Sequence, residues 1–343
     1  MLFVSQTDSG TLQINVFDKT VADPIEGAKI NISVSDENGI NTSLYDLFTD
    51  NEGKSDVISL SAPPFLYSQS PDQPKPYSTY NISINAEGYE AVDFIGTQVF
   101  ADNLSIQNAY LTPLQNNDEQ IIDIPAPRLW GDYPPKIPEE EIKPLPPESG
   151  FVVLDNVIIP EYIVVHDGSP NDPTAPNYYI PFKDYIKNVA SSEIYTTWPE
   201  EAIKANVLAI ISFTLNRVYT EWYRSKGKNF TITSSTAYDH FFVYGRNIYK
   251  EINDIVDDLF TSYIKRNGSN QPLLAQYCDG IQVVCPDRMT QWGSKYLADQ
   301  GFSAIDILRY YYGNDIYIEN ADIVSGVPVS YPGYTLSIGS TGA

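Results

Sequence analysis

In the stretch ASSEIYTTWPEEAIKAN, residues 190–206, Glu193 stands five residues ahead of the pair Trp198-Pro199, which opens a long apolar run. A carboxylate that serves only solubility can sit anywhere on a surface. One held beside a rigid, well-started helix can be aimed, and an aimed Glu can protonate a leaving group and then take a proton from an attacking one. Asp239, Asp279 and Asp287 are further acids in this half, but turn or surface roles weigh more heavily for each. Tyr277, Trp292 and the run Tyr310 to Tyr312 offer rings that can line a cleft, against the commoner fate of aromatic side chains, which is packing. Cys278 and Cys285 are the only cysteines, spaced C-x6-C. Two thiols, a local disulfide and two ligands of a zinc site are all open, and the only imidazoles in the chain are His166 and His240.

The elements around Glu193 must fix it. YIPFKDYIKNVASSE reads as a short helix leading to it. The next helix is well marked: Thr197 as cap, Pro199 in the first turn and Glu200 three residues after Thr197, as a capping box requires. Ile203, Val207, Ile210, Ile211, Leu215 and Val218 follow at helical spacing, and almost no face is polar between Ala205 and Phe213, so this helix is expected to be buried. A further helix is predicted from about Asn247 to Lys265, and a last one from Ser303 to Tyr312, stopped by Gly313. Upstream, FVVLDNVIIPEYIVVH reads as one or two strands.

The first half has a different rhythm. TLQINVF, AKINISV and TYNISIN alternate as half-buried strands do, separated by the turn signals DENG and DNEG. From Pro113 to Gly150 there are 9 prolines in 38 residues, which predicts an extended, exposed segment without a sheet interior and open to proteases. The expected fold class is α+β, with boundaries at 1–113 (antiparallel β-sandwich), 114–150 (linker), 151–325 (mixed α/β domain) and 326–343 (tail). With 343 residues, 42% of them hydrophobic, the chain can bury two cores. Its 21 basic and 44 acidic side chains leave a net charge of -23, which repels phosphate backbones and excludes nucleic acid as a partner. The acidity belongs mostly to residues 1–150, which hold 7 of the basic and 23 of the acidic groups. MLFVSQTDSG lacks a basic leader and no run of 18 apolar residues occurs, so neither a signal peptide nor a membrane partner is expected.

DYIKNVASSEIYTTWPEEAIKANVLAIISFTLNR resembles the signature of the SpoIID family of peptidoglycan lytic transglycosylases, in which a glutamate precedes a Trp-Pro-x-Glu-Ala-x-Lys-Ala helix. RMTQWGSKYLADQGFSAIDILRYYYG is similar to that family's Met-Ser-Gln-x-Gly segment and closing Tyr pair, and the resemblance spans about residues 155–320. It implies a catalytic Glu193, substrate-binding roles for Gln291, Tyr277 and Trp292, and cleavage next to muramic acid with anhydro products. Thr290 stands where the family has Ser, Ile211 where many members have Arg, and Asn206 where Gln is common. Members that bind zinc use a His upstream of two cysteines. That position is unfilled here, so no cofactor is expected, with zinc at Cys278 and Cys285 as the alternative.

The sandwich is similar to transthyretin-like, carboxypeptidase regulatory-like modules. The order of sandwich, proline-rich segment and catalytic domain resembles the clostridial spore cortex-lytic enzymes. That order implies spore cortex peptidoglycan as substrate, residence in the spore cortex or coat, and an N-terminal propiece packed near Glu193. It also implies a germination protease cutting between about Pro144 and Asn156, and a tail leading towards a peptidoglycan-binding module. The competing reading is a peptidoglycan-binding scaffold that kept the fold and lost turnover.

Overall fold

Alternation of apolar and polar residues builds the first half of the chain. A computed structural model of the protein describes residues 7–36, 38–115, 120–145 and 156–323. The predicted cleavage window falls mostly, and the C-terminal tail entirely, outside the described residues. The first strands are β1 (Asp8–Asp18), β2 (Lys29–Ser35), β3 (Asn41–Phe48), β4 (Ile58–Ala62), β5 (Tyr77–Asn85), β6 (Val92–Phe100), β7 (Leu104–Leu111) and β8 (Gln120–Asp123). They form two sheets, one containing β7-β1-β4 and the other β3-β2-β5-β6-β8. Inward side chains such as Leu12, Ile14, Ile30, Ile32, Ile82 and Phe94 fill a common core between them. The sandwich departs from the wholly antiparallel one expected, because β1 pairs parallel with β7 and β6 pairs parallel with β8. Strands brought together by long crossovers can run the same way, unlike those joined by a tight hairpin.

In the second half α2 (Glu200–Tyr219) is the central post, with α1 (Phe182–Glu193), α3 (Lys250–Leu259), α4 (Gln291–Asp299) and α5 (Ala304–Tyr312) around it. Every residue of α2 from Ala205 to Arg217 is buried, as its apolar run predicts. Its start differs from the capping box expected. Pro199 is the cap and no side chain caps the helix; the Thr197 hydroxyl donates instead to Ser68 Oγ (2.7 Å), and Glu200 pairs with Lys204. A tertiary bond has replaced the local one. The helix expected to reach Lys265 stops at Leu259, and Ser262–Arg266 pair antiparallel with Ile316–Asn320. Buried Tyr263 and Ile264 favour that strand, since aromatic and β-branched side chains suit a half-buried sheet. At α5, Ser303 accepts from the Asp306 N–H and Gly313 ends the helix at φ 98°, a conformation that favours glycine.

The two halves share a sheet and a core. Ile248 and Tyr249 add to the sandwich along β7, and Phe100 packs against Tyr195 and Tyr249 at 5.3 Å. The proline-rich segment is not the exposed spacer its composition suggests. Residues 120–123, free of proline, form β8, and residues 125–145 run as a strap across the second half with Arg128, Leu129, Lys136 and Lys143 buried. Proline keeps this strap extended, while the backbone donors that remain are used: Ile137 N–H donates to Ala237 O (2.7 Å) and Lys143 N–H to Gln271 Oε1 (2.9 Å).

Candidate active site

Glu193 is the last residue of α1, not a residue outside it, and is 1% exposed. Carbonyl groups make a helix C-terminus unfavourable for an anion, so other donors must hold the carboxylate. The Phe241 N–H donates to Oε1 at 2.6 Å, and Gln291 Nε2 lies 3.3 Å from Oε2 and 3.2 Å from the Glu193 carbonyl.

Both donors are themselves fixed. Phe241 stands two residues after Asp239, whose carboxylate accepts from Arg217 Nε (2.7 Å), the Tyr223 hydroxyl (2.7 Å) and both the N–H and hydroxyl of Thr233. Gln291 begins α4. Its carbonyl accepts from the Ser294 hydroxyl, which in turn accepts from Asn206 Nδ2 at 2.8 Å and so ties α4 to α2. Gly293 lets this turn close on Thr290 and Tyr311: a Cβ there would lie 2.0 Å from the Tyr311 hydroxyl.

Tyr277 stands beside this carboxylate. Burial first, and the charge of Glu193 second, hold its phenol well above the ordinary tyrosine range, and its hydroxyl makes no well-formed hydrogen bond. Its ring stacks on His240 with centroids 5.9 Å apart. His240 Nδ1 meets the Tyr185 hydroxyl at 3.0 Å while Nε2 has no partner. Burial, followed by the nearby cation Lys136, keeps this imidazole neutral. Gln291 Oε1 is a third buried polar atom left over. Gln291 and Tyr277 thus bring unpaired polar atoms to the carboxylate, which suits a ligand rich in hydroxyl groups.

Lys136 enters this cluster from the strap. Its ammonium donates to Asp239 O at 2.5 Å and lies over the rings of Phe213 (4.8 Å) and Tyr277 (4.9 Å). Burial lowers its pKa to about 8, against the pull of Glu193. Three residues on, Glu139 grips Arg217 with both oxygens, at 2.5 and 3.0 Å, and the Arg128 N–H donates to Ser192 O (2.8 Å).

The fold therefore brings Glu193, Gln291 and Tyr277 together. Trp292 does not join them; its ring packs on Trp198 (5.0 Å) and Tyr195 (5.9 Å) and is 9% exposed, a packing position. Tyr312 donates to Gln276 O, Tyr311 meets Thr290, and Tyr310 is exposed. Asp239 is committed to its cation and donors, Asp279 accepts from the N–H groups of Ile281, Gln282 and Val283, and Asp287 is exposed. Cys278 and Cys285 form a disulfide, and among the described residues no group of three or more His, Cys, Asp or Glu could hold a metal ion. His166 is engaged by Asn177 and Asp172 O. Residue-by-residue reading missed Lys136, His240 and Arg217. Arg217 alone carried a visible signal, a cation at the buried end of an apolar helix.

Residues 174–260 match the family profile of SpoIID, the stage II sporulation protein. The matched segment takes in about a quarter of the chain. The family is associated with peptidoglycan degradation. The match takes in Glu193, the Trp198-Pro199 pair and His240, while Tyr277 and Gln291 lie beyond it. No curated protein matches the chain.

Similar solved structures include a mutant of Acinetobacter radioresistens catechol 1,2-dioxygenase (15% identity, 34% of this chain and 55% of that one, TM-score 0.22). Others are Klebsiella pneumoniae 5-hydroxyisourate hydrolase (15%, 31% and 92%, TM-score 0.20) and the minor pilin of Streptococcus agalactiae (12%, 33% and 48%, TM-score 0.22). The chain spans about half the length of the dioxygenase. At TM-scores this low nothing further rests on these likenesses.

Proposed function

We propose that this chain is a latent peptidoglycan lytic transglycosylase that cleaves spore cortex next to muramic acid during germination, as in the clostridial spore cortex-lytic enzyme SleC that its layout resembles. The observation that carries this reading is a single buried carboxylate, Glu193, held by the Phe241 N–H and the Gln291 amide, with no second free acid beside it among the described residues. A glycoside hydrolase ordinarily needs two carboxylates. A lytic transglycosylase needs one, because the substrate supplies its own nucleophile. Protonated Glu193 donates to the glycosidic oxygen as the C1–O bond breaks. The resulting carboxylate, steadied by its two donors, then takes the proton of the C6 hydroxyl as that oxygen attacks C1 and closes the 1,6-anhydro ring.

Latency is the second part of the reading. The strap packs beside Glu193, with the Arg128 N–H on Ser192 O and Lys136 between Tyr277 and Asp239, which supports a propiece that must leave before glycan can enter. Cleavage between about Pro144 and Asn156 would detach strap and sandwich from the catalytic half. The test is to incubate purified cortex with the uncut chain and with chain cut in this window, and to weigh the muropeptides. Anhydro ends, lighter by one water, from the cut chain alone are the expected result. Reducing ends would make it a hydrolase, and no cleavage by either form would leave a binding scaffold.

A further inference from the structure

A cavity of about 700 Å³ lies between the sandwich and the catalytic half, separate from the Glu193 cluster. It opens to solvent, and its size falls within the roughly 300–1,000 Å³ of small-molecule sites. Tyrosines line it from both sides: Tyr110 of β7, and Tyr162, Tyr179 and Tyr244 of the catalytic half. The first three are 42%, 42% and 51% exposed, and Tyr244 is backed by Tyr178 at 4.4 Å.

Four charged side chains, Lys19, Asp184, Lys187 and Arg246, complete the wall. Among the described residues Asp184 has no ion-pair partner, because Lys183 and Lys187 beside it are both taken by Asp257. Arg246 is 4% exposed, with its terminal nitrogens bound to Gln98 and Pro125 O, while its Nε has no partner.

We propose that this cavity is a glycan subsite that holds an N-acetylated hexosamine strand. This rests on the peptidoglycan reading of the Glu193 site and extends it to a second place on the molecule. Flat tyrosine faces with negative π-clouds suit the C–H faces of pyranose rings. Asp184, which lines the cavity without an ion-pair partner among the described residues, accepts from sugar hydroxyls. A neutral sugar is also compatible with a chain of net charge -23. The cavity communicates with the catalytic centre through one segment: the Phe241 N–H holds Glu193, while Tyr244 and Arg246 wall the cavity. Because β7 supplies part of the wall, the site is complete only while the sandwich is docked. It would therefore tether the uncut chain to its polymer and release it when the sandwich departs.

The test uses the uncut chain carrying Glu193→Gln and the N-acetylglucosamine tetramer as probe, read by calorimetry and saturation-transfer NMR. Saturable binding is expected, weakened about fivefold or more by Tyr110→Ala or Tyr179→Ala and retained in Tyr179→Phe. Thermal melts of each variant separate lost binding from lost folding. No binding by a normally melting protein overturns the subsite. So does binding indifferent to both alanine variants, which would seat the sugar elsewhere. Neither outcome touches the peptidoglycan reading, which the muropeptide masses decide independently.

Discussion

The ammonium of Lys136, carried by the proline-rich strap, lies 4.9 Å from the centre of the Tyr277 ring. Tyr277 in turn feels the charge of Glu193, so a residue from outside the catalytic half has become part of the buried cluster around its acid. The strap's prolines fix an extended path, and that path delivers one cation to one place.

Glu193→Gln should abolish release of anhydro-muropeptides by the cut chain while leaving the fold intact. The amide keeps an oxygen for the Phe241 N–H, so the site holds its shape, but it cannot shuttle a proton. General acid–base groups contribute about 10²–10⁴-fold to rate, and a loss of that order with an unchanged melting temperature is expected. Residual activity close to that of the parent would assign the acid elsewhere.

Much of this was legible from local pattern, and the exceptions share a cause. The α2 apolar run, the Gly313 stop and the alternating strands β1, β2 and β5 are set by neighbours a few residues away. Thr197 failed as a cap because Ser68, 129 residues distant, offered it a better bond. Lys136 and His240 were invisible as site residues because only long-range packing brings the strap and the Phe241 loop to Glu193. Trp292 misled because adjacency to Gln291 on a helix sends a side chain to another face.

The Cys278–Cys285 disulfide closes a short loop between Tyr277 and Gln291, two residues of the candidate site. A loop of this length is worth about 2–3 kcal/mol in the chain-entropy picture. Cys278→Ser with Cys285→Ser should lower the melting temperature by several degrees and raise KM more than it lowers kcat, since the loop frames the site without donating to the acid. Alkylation followed by mass spectrometry should add no label before reduction and two after it. Labelling without reductant would contradict the bond.

Acid should destabilise the protein through His240. Its folded pKa is depressed by burial and by Lys136, so below about 6.5, its ordinary value, the unfolded chain binds a proton that the folded chain refuses. Stability is then full above this value and falls as pH drops, by at most about 1.4 kcal/mol per pH unit. Unfolding measured from pH 7.5 to 5 should show a shallower slope in His240→Gln than in the parent, and equal slopes would exclude His240. Lys136 acts at the alkaline end. Between about 8 and 10.5 the docked strap holds fewer protons than the released one, so docking should tighten as pH rises through that window.

The strap's hold should yield first at Glu139. Its two oxygens grip Arg217, and the same guanidinium holds Asp239, which sets the Phe241 N–H on Glu193. Glu139→Gln removes the strap's charge from that clamp but leaves Arg217 paired with Asp239, so the catalytic half keeps its geometry. Charge-assisted hydrogen bonds contribute about 1.5–3 kcal/mol, and losing that much docking energy should raise the open population about tenfold or more. The uncut Glu139→Gln chain should therefore release anhydro-muropeptides from cortex measurably faster than the uncut parent, with the two cut forms equal. An uncut variant as silent as its parent, with a normal melting temperature, would show that the strap is held by its other contacts and not by this ion pair.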